Sequence, residues 1–474
     1  MSGPFPLTMF MPRTSFLIVS VSLFLGGCTL PTPAPKSEVE LPAAWKNAGR
    51  FPVAAPGKDL SRWWGRFGDP ALNRLIATAL DENPDIATAK ARVRESRARQ
   101  DAQRAALFPS VDGSASRSAR SSNTDLGGTT SSTSYSANLS ASWDADLFGR
   151  NRSQLEAAAA NLGATEENLH SAQAGLAAEI ASTYVTLRTN ESRLSVLKRN
   201  LTTREETAQL ANWRLKAGEA DTLEANQAQS SLESARAGVP ALEQAIAQGR
   251  NALSVLLGRA PGGVDPLLSG ASRGLPNPPQ SLAIGIPADT VRQRPDVRVA
   301  GYQLLAAAAS TRAADAARFP SLSLSGSLGL NALSTGKIFN PESTSASIIA
   351  GLSAPIFDAG RLQANLTAST AAQDQAVENY RAKVLTALSE TENALIACRR
   401  TAERLATLEK ATALAREADE LARQRYEAGE IDFSDVLDTQ RSLLGLEDSL
   451  LNTGADRVTA YIRLYQALGG GWSS

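Results

Sequence analysis

The chain has 474 residues, with 48 lysines and arginines against 48 aspartates and glutamates, and so a formal net charge of zero. That balance argues against a nucleic-acid partner. Aromatic residues make up only 5% of the chain, few for a globular enzyme of this length, and one histidine (His170) with two cysteines (Cys28, Cys398) offers no Ser-His-Asp set, zinc cluster or Cys-His pair.

Taken in chain order, the first element is an export segment. Arg13 precedes the apolar run Phe16 to Leu25, followed by Gly26-Gly27-Cys28. A basic residue, a short apolar core and small residues make a secretory signal rather than a membrane span. Leu25-Gly26-Gly27-Cys28 resembles the bacterial lipobox, which implies that residues 1–27 are removed and that Cys28 carries a covalent lipid. The following Thr29, in place of an aspartate, favours the outer membrane by the same resemblance. Residues 28–62 are proline-rich and without periodicity, and they predict an extended linker from the lipid anchor.

From residue 63 onward the chain is written twice. Asn83-Pro84-Asp85 matches Arg294-Pro295-Asp296, and Phe108-Pro109-Ser110 matches Phe319-Pro320-Ser321. Gly149-Arg150 matches Gly360-Arg361, and Leu257-Gly258 matches Leu468-Gly469. Arg214 and Ala217-Gly218-Glu219 match Arg425 and Ala428-Gly429-Glu430. Every pair is separated by 211 positions. Matches in one register define a tandem repeat, with a first unit over 63–260, a linker over 261–290 and a second unit over 291–470.

Each unit predicts a first helix (about 84–107 and 295–318), two serine-rich segments, a long helix (151–217 and 361–428), a glycine turn and a last helix ending at Leu-Gly. In the first long helix Leu155, Leu162, Leu169 and Leu176 recur every seven residues, then Ile180, Leu187, Leu194 and Leu201 after a shift of four. An apolar heptad held this long must pack along its whole length on other helices. A helix over 151–217 would be roughly 100 Å long, too long for the core of one globular domain. His170 lies inside it, where a structural role is expected.

The serine-rich segments set the fold class. From Tyr135 to Leu147 every odd position is apolar; from Leu322 to Leu330 the even positions are, as they are from Ala346 to Ile356, and Val111, Gly113 and Ala115 begin a weaker face. The phase reverses between the units because 211 is odd. Strict alternation over this length predicts a two-faced, tilted transmembrane strand. Four strands cannot close a barrel alone, and open edges are not tolerated in lipid. The chain is therefore expected to be an α+β membrane protein that pools strands with copies of itself.

Trp63-Trp64-Gly65-Arg66-Phe67-Gly68-Asp69-Pro70-Ala71-Leu72, with Leu75 and Ala79 to Asp85, and Arg425-Tyr426-Glu427-Ala428-Gly429 with Asp435 to Ser442, resemble the TolC-like outer-membrane factors. The match is to their lipoprotein (NodT-type) branch and covers about 60–470. The resemblance implies a homotrimer with a 12-stranded transmembrane barrel in outer-membrane lipid, continued by a long helical periplasmic barrel. It implies a periplasmic adaptor docked at the helical tips and an inner-membrane RND-type transporter. The function it implies is a passive exit duct of a tripartite efflux pump; the alternatives are a duct of a type I protein secretion system, or a structural periplasmic coiled-coil lipoprotein without a pore. The chain has no Gly-x-x-x-x-Gly-Lys-Ser/Thr phosphate loop, so no nucleotide hydrolysis, enzyme activity or cofactor is expected.

Arg214, Gly218, Arg425 and Gly429 are the expected adaptor-docking tip, with both arginines exposed. Asp435 and Asp438, three apart on one helix face, are the expected periplasmic gate. Across a threefold axis they would form two stacked carboxylate rings able to hold cations weakly, with Arg441 and Tyr426 as the groups that hold them closed. Some relatives carry a basic lock residue two positions after the tip glycine; here that position is Ile431, so the closing contacts must differ.

Overall fold

The structure is a computed structural model that describes residues 40–49, 60–124, 128–269, 274–279 and 287–472. Cys28 and the export segment lie outside the described residues. A 3-10 turn at Trp63–Phe67 leads into α1 (Pro70–Glu82), α2 (Pro84–Ala105), β1 (Ser110–Thr124) and β2 (Gly128–Ala145). Then come α3 (Arg150–Ala217), α4 (Thr222–Leu256), α5 (Asp265–Leu268), α6 (Pro287–Gln293), α7 (Pro295–Ala316), β3 (Ser321–Ala332), β4 (Thr344–Ser353), α8 (Arg361–Glu427) and α9 (Phe433–Ala467).

The four strands form one antiparallel sheet in the order β1-β2-β3-β4. Tyr135 on β2 faces both Arg117 on β1 and Ala332 on β3, and Leu328 faces Ala346 on β4. Directly opposed residues share a face, so Ala137, Leu139, Leu328, Leu330 and Ile348 line one apolar side. Serines line the other; Ser116 and Ser136 are bonded at 2.8 Å across one strand pair, and Ser327 and Ser347 at 2.8 Å across another. Leu139, Leu328, Ile348 and Leu352 are more than half exposed, and among the described residues the outer edges of β1 and β4 have no strand beside them.

Below the sheet, α3 and α8 are two unbroken rods of 68 and 67 residues. Each begins after a glycine in the left-handed region, Gly149 at φ 78° and Gly360 at φ 84°. An aspartate caps each start: Asp146 accepts from the backbone N–H of Asn151 and Arg152, and Asp358 from those of Gly360 and Leu362. Near the sheet, α2 lies on α3 and α7 fills the space between α3 and α8; farther down, α4 lies on α3 and α9 lies between α3 and α8. The two first helices thus differ in surroundings: α7 buries alanines along its length, whereas Ile86 is the only buried residue of α2.

The leucine heptad is only part of the seam. Leu155, Leu162, Leu169, Leu194 and Leu201 are half-buried, while Ala157, Ala160, Ala164, Ala177, Ala181 and Ala211 are buried. Alanine lets rods approach closely, and the approach is tightest at Gly163, where an added Cβ would lie 2.7 Å from the Tyr302 ring of α7.

The motif around Trp63 is a plug at mid-height. Trp63 stacks on Tyr465 of α9 at 5.4 Å and 11°. Asp69 caps α1 by accepting from Ala71 and Leu72 and also accepts from the Tyr184 hydroxyl at 2.8 Å. The cluster reaches α8 through Leu395 and Cys398. His170 is structural in setting: its ring stacks on Trp472 at 4.3 Å, beside Glu167.

The described parts of two stretches expected as linkers pack on the fold. Within 28–62, Trp45 is buried, and the backbone N–H groups of Lys46 and Asn47 donate to Glu392 of α8. The segment 261–290 contains α5 and the start of α6, with Val264 fully buried. Isolated apolar residues give no period to read, yet Trp45 and Val264 are both buried. Among the described residues, no helix is long and apolar enough to cross a membrane, and no cluster of histidine, cysteine and carboxylate side chains could hold a metal ion.

Candidate gate at the helical tip

The two helical hairpins, α3–α4 and α8–α9, reverse at the end farthest from the sheet, and both turns have the same construction. The N–H of Gly218 donates to the carbonyl of Leu215 and that of Glu219 to Arg214; the N–H of Gly429 donates to Tyr426 and that of Glu430 to Arg425. The glycines sit at φ 77° and 74°, a conformation that costs any residue with a Cβ. None of the described residues would touch a Cβ at either position, so the requirement is conformational and not steric. Asp221 caps α4 by accepting from the Glu224 N–H at 2.9 Å.

Behind the turns the hairpins share a small core. Ala208 and Ala211 of α3, Ala228 and Leu232 of α4, and Tyr426, Phe433, Val436 and Leu437 of the second hairpin pack together. Tyr426 is 2% exposed, and its ring lies 5.6 Å from that of Phe433. Its hydroxyl donates to Glu224 Oε1 on the other hairpin. The Arg214 guanidinium sits 4.8 Å from the Tyr426 ring centroid and 3.8 Å from Glu224. Three groups from α3, α4 and α8 thus tie one hairpin to the other. Burial first, and then the Glu224 carboxylate, push the Tyr426 hydroxyl up to about 12, so it keeps its proton and remains a donor throughout the neutral range.

This corrects one expectation. Arg425 is exposed at the tip, as its place in the turn predicts, but Arg214 is turned inward, with its side chain 22% exposed. The two arginines are equivalent in the repeat and not in the fold. Residue 426, one position after Arg425, is a tyrosine, and its ring recruits Arg214; the repeat-equivalent position in the first hairpin holds Leu215. Ile431 packs half-buried on the shared core, and the cation beside Tyr426 comes from the opposite hairpin.

Asp435 and Asp438 are both exposed on α9, and Asp438 lies 3.8 Å from Arg441, with side-chain exposures of 79% and 69%. The Tyr426 hydroxyl bonds Glu224 of the other hairpin and, among the described residues, makes no hydrogen bond to either aspartate.

A second charged layer lies above the tip. Asp419 of α8 is buried, with Arg423 at 3.3 Å, and its Oδ1 has no hydrogen-bond partner. Burial raises its pKa and the charge of Arg423 opposes that rise. Arg204 of α3, also buried, reaches Ser231 of α4. Helical periodicity does not single out either residue. The signal was the repeat itself, because the positions 211 away are Ala208 and Ala415.

The geometry agrees with comparison to known proteins. The family model described as outer membrane efflux protein matches residues 75–259 and 286–470. The solvent efflux pump outer membrane protein SrpC of Pseudomonas putida is 34% identical over 462 residues, covering 95% of this chain and 97% of the relative. The pyoverdine export outer membrane protein OpmQ of Pseudomonas aeruginosa is 33% identical over 483 residues, with 98% of each chain covered. Among solved structures, the outer-membrane channel OprN superposes with a TM-score of 0.84 at 32% identity, covering 92% of this chain and 98% of that one. The open state of the MtrE outer membrane channel of Neisseria gonorrhoeae gives 0.81 at 30% identity, covering 92% and 96%. These matches, spanning both repeats, leave the structural coiled-coil reading without support: the chain belongs to the outer membrane efflux protein family.

Proposed function

We propose that three copies of this chain form the outer-membrane exit duct of a tripartite efflux pump, passive in itself and driven from the inner membrane. The observation that carries the reading is the sheet. Four strands with an apolar outer face, a serine-lined inner face and two open edges suit one third of a closed 12-stranded barrel. The rods then continue the duct into the periplasm. A periplasmic adaptor docks at the exposed turns around Gly218, Arg425 and Gly429, and an RND-type transporter supplies substrate and energy. The chain performs no chemistry on what it passes. Cys28 carries the lipid; intact mass of the mature N-terminus tests this, and an unmodified start elsewhere would remove the lipoprotein assignment.

The tip is the gate. Asp435 and Asp438 of three copies face the axis, and the Tyr426–Glu224–Arg214 tie holds the second hairpin against the first so that the rings stay narrow. Opening breaks that tie. The duct is tested by reconstitution: the purified protein should run as three copies in detergent and give discrete conductance steps in planar bilayers. It should also restore dye efflux to cells lacking their own duct. A protein that inserts without conducting is not a duct.

A further inference from the structure

We infer that the outer rim of the sheet carries a binding site for a phosphate-bearing acyl lipid of the outer leaflet, built from Arg117 and the groove below it. The inference rests on the lipid-facing reading of the apolar sheet face. Directly opposed residues fix which side chains share that face. Val111, Gly113, Ala115, Arg117 and Ala119 of β1 lie on it, with Tyr135, Ala137, Leu139 and Trp143 of β2, the leucines of β3, and Ala346, Ile348 and Ala350 of β4. Among the described strand residues, Arg117 is the only charged one there. No carboxylate of the described residues pairs with it. Its guanidinium lies against the Tyr135 ring, 5.8 Å from the centroid.

Its height is informative. Trp143 marks the periplasmic border, donating its indole N–H to the Leu107 carbonyl at 2.9 Å where the sheet meets α2. Tyr135 is eight residues farther along β2, which is about 26 Å of strand and roughly 20 Å of height at a usual barrel tilt. Two aromatic residues separated by about the thickness of the apolar band are its two girdles. Arg117 therefore stands level with lipid headgroups of the outer leaflet. A cation there is cheap to place, and none of the described carboxylates is its counter-ion.

Directly below it the face is hollow. Gly113, Ala115 and Ala137 give no bulk, and Leu139, Leu328 and Leu330 wall a groove of about 490 Å³. It starts one side-chain step from Arg117, since Ala115 is the next residue on the same face. An apolar groove running from a cation at the headgroup level into the band fits an acyl chain with its phosphate on the guanidinium. Arginine suits phosphate because its planar fork can donate two hydrogen bonds at once. The second repeat has no equivalent: the positions 211 beyond Arg117 and Tyr135 are Leu328 and Ala346. A trimer would carry three such sites.

Native mass spectrometry of the detergent-purified trimer tests this. The probes are an acylated glucosamine disaccharide carrying its phosphates, the same lipid with the phosphates removed, and inorganic phosphate. The trimer should retain up to three phosphorylated lipids, the dephosphorylated lipid roughly tenfold less well, and inorganic phosphate not at all. Arg117→Gln should lower retention of the phosphorylated lipid to the level of the dephosphorylated one. Ala137→Leu, which fills the groove, should lower retention of both. Equal retention of the two lipids by the unmodified trimer, or retention unchanged in either variant, overturns the site. Conductance of the same preparations separates the outcomes, because a conducting trimer that ignores the phosphate disproves the lipid site and leaves the duct intact.

Discussion

At the residue scale, the proposed gate rests on a few polar atoms that join the two hairpins: the Tyr426 hydroxyl, the Glu224 carboxylate and the Arg214 guanidinium. Replacing Tyr426 with phenylalanine keeps the ring on Arg214 and Phe433 and removes only the donor to Glu224. A buried hydrogen bond to a charged group is worth about 1.5–3 kcal/mol, so Tyr426→Phe should raise the open-to-closed ratio by at least roughly tenfold in single-channel records. The tie is insensitive to pH across the neutral range. A hydroxyl whose pKa rises from 10 to about 12 in the folded chain contributes stability that is complete below pH 10 and lost as pH climbs through 12. The aspartates are a separate set of side chains. Asp435→Ala together with Asp438→Ala should raise conductance and weaken block by divalent cations; unchanged block in the double variant would place the constriction elsewhere. Cys398 shows the opposite of a working group. Burial pushes its thiol up to about 12, so a maleimide at neutral pH should label it only after denaturation, as read by intact mass.

At the element scale, the two glycine turns and the caps decide where helices stop. Gly218→Val or Gly429→Val meets no neighbour but forces a β-branched residue into the left-handed region, at a cost of roughly 1–2 kcal/mol or more per turn. The trimer should still form, with its thermal midpoint lowered by a few degrees, while adaptor-dependent efflux fails. Normal efflux in both variants would remove docking from these turns. The turns, the strands and both long helices were legible in the sequence because each depends on local rules: glycine at positive φ, alternation by two, heptads by seven. The tie was legible only in parts. Tyr426 stood out beside the tip glycine, but its partners Glu224 and Arg214 lie on another hairpin, and no local period links residues 202 positions apart. Arg214 was misplaced for the same reason. Its sequence context matches that of Arg425, and only the neighbouring ring turns it inward. The packed parts of 40–49 and 261–269 were missed because their few apolar residues fill pockets made by distant helices.

At the scale of the whole molecule, the two repeats carry rods of nearly equal length in unequal surroundings. Within one chain α7 is enclosed by α3 and α8, whereas α2, its counterpart, packs chiefly on α3. The equality of length has a mechanical meaning. The rods span 68 and 67 residues and their hairpins turn level with each other, which is what lets Tyr426 reach Glu224. They act as a matched pair of rulers. Removing seven residues from α3 and seven from α4 would raise one hairpin end by about 10 Å, beyond the reach of any side chain, and the channel should then stay open. Removing matched heptads from all four helices would shorten the duct by the same amount and leave the gate closed. The gap the duct bridges could thus be altered by whole turns of helix, provided both rulers are cut alike.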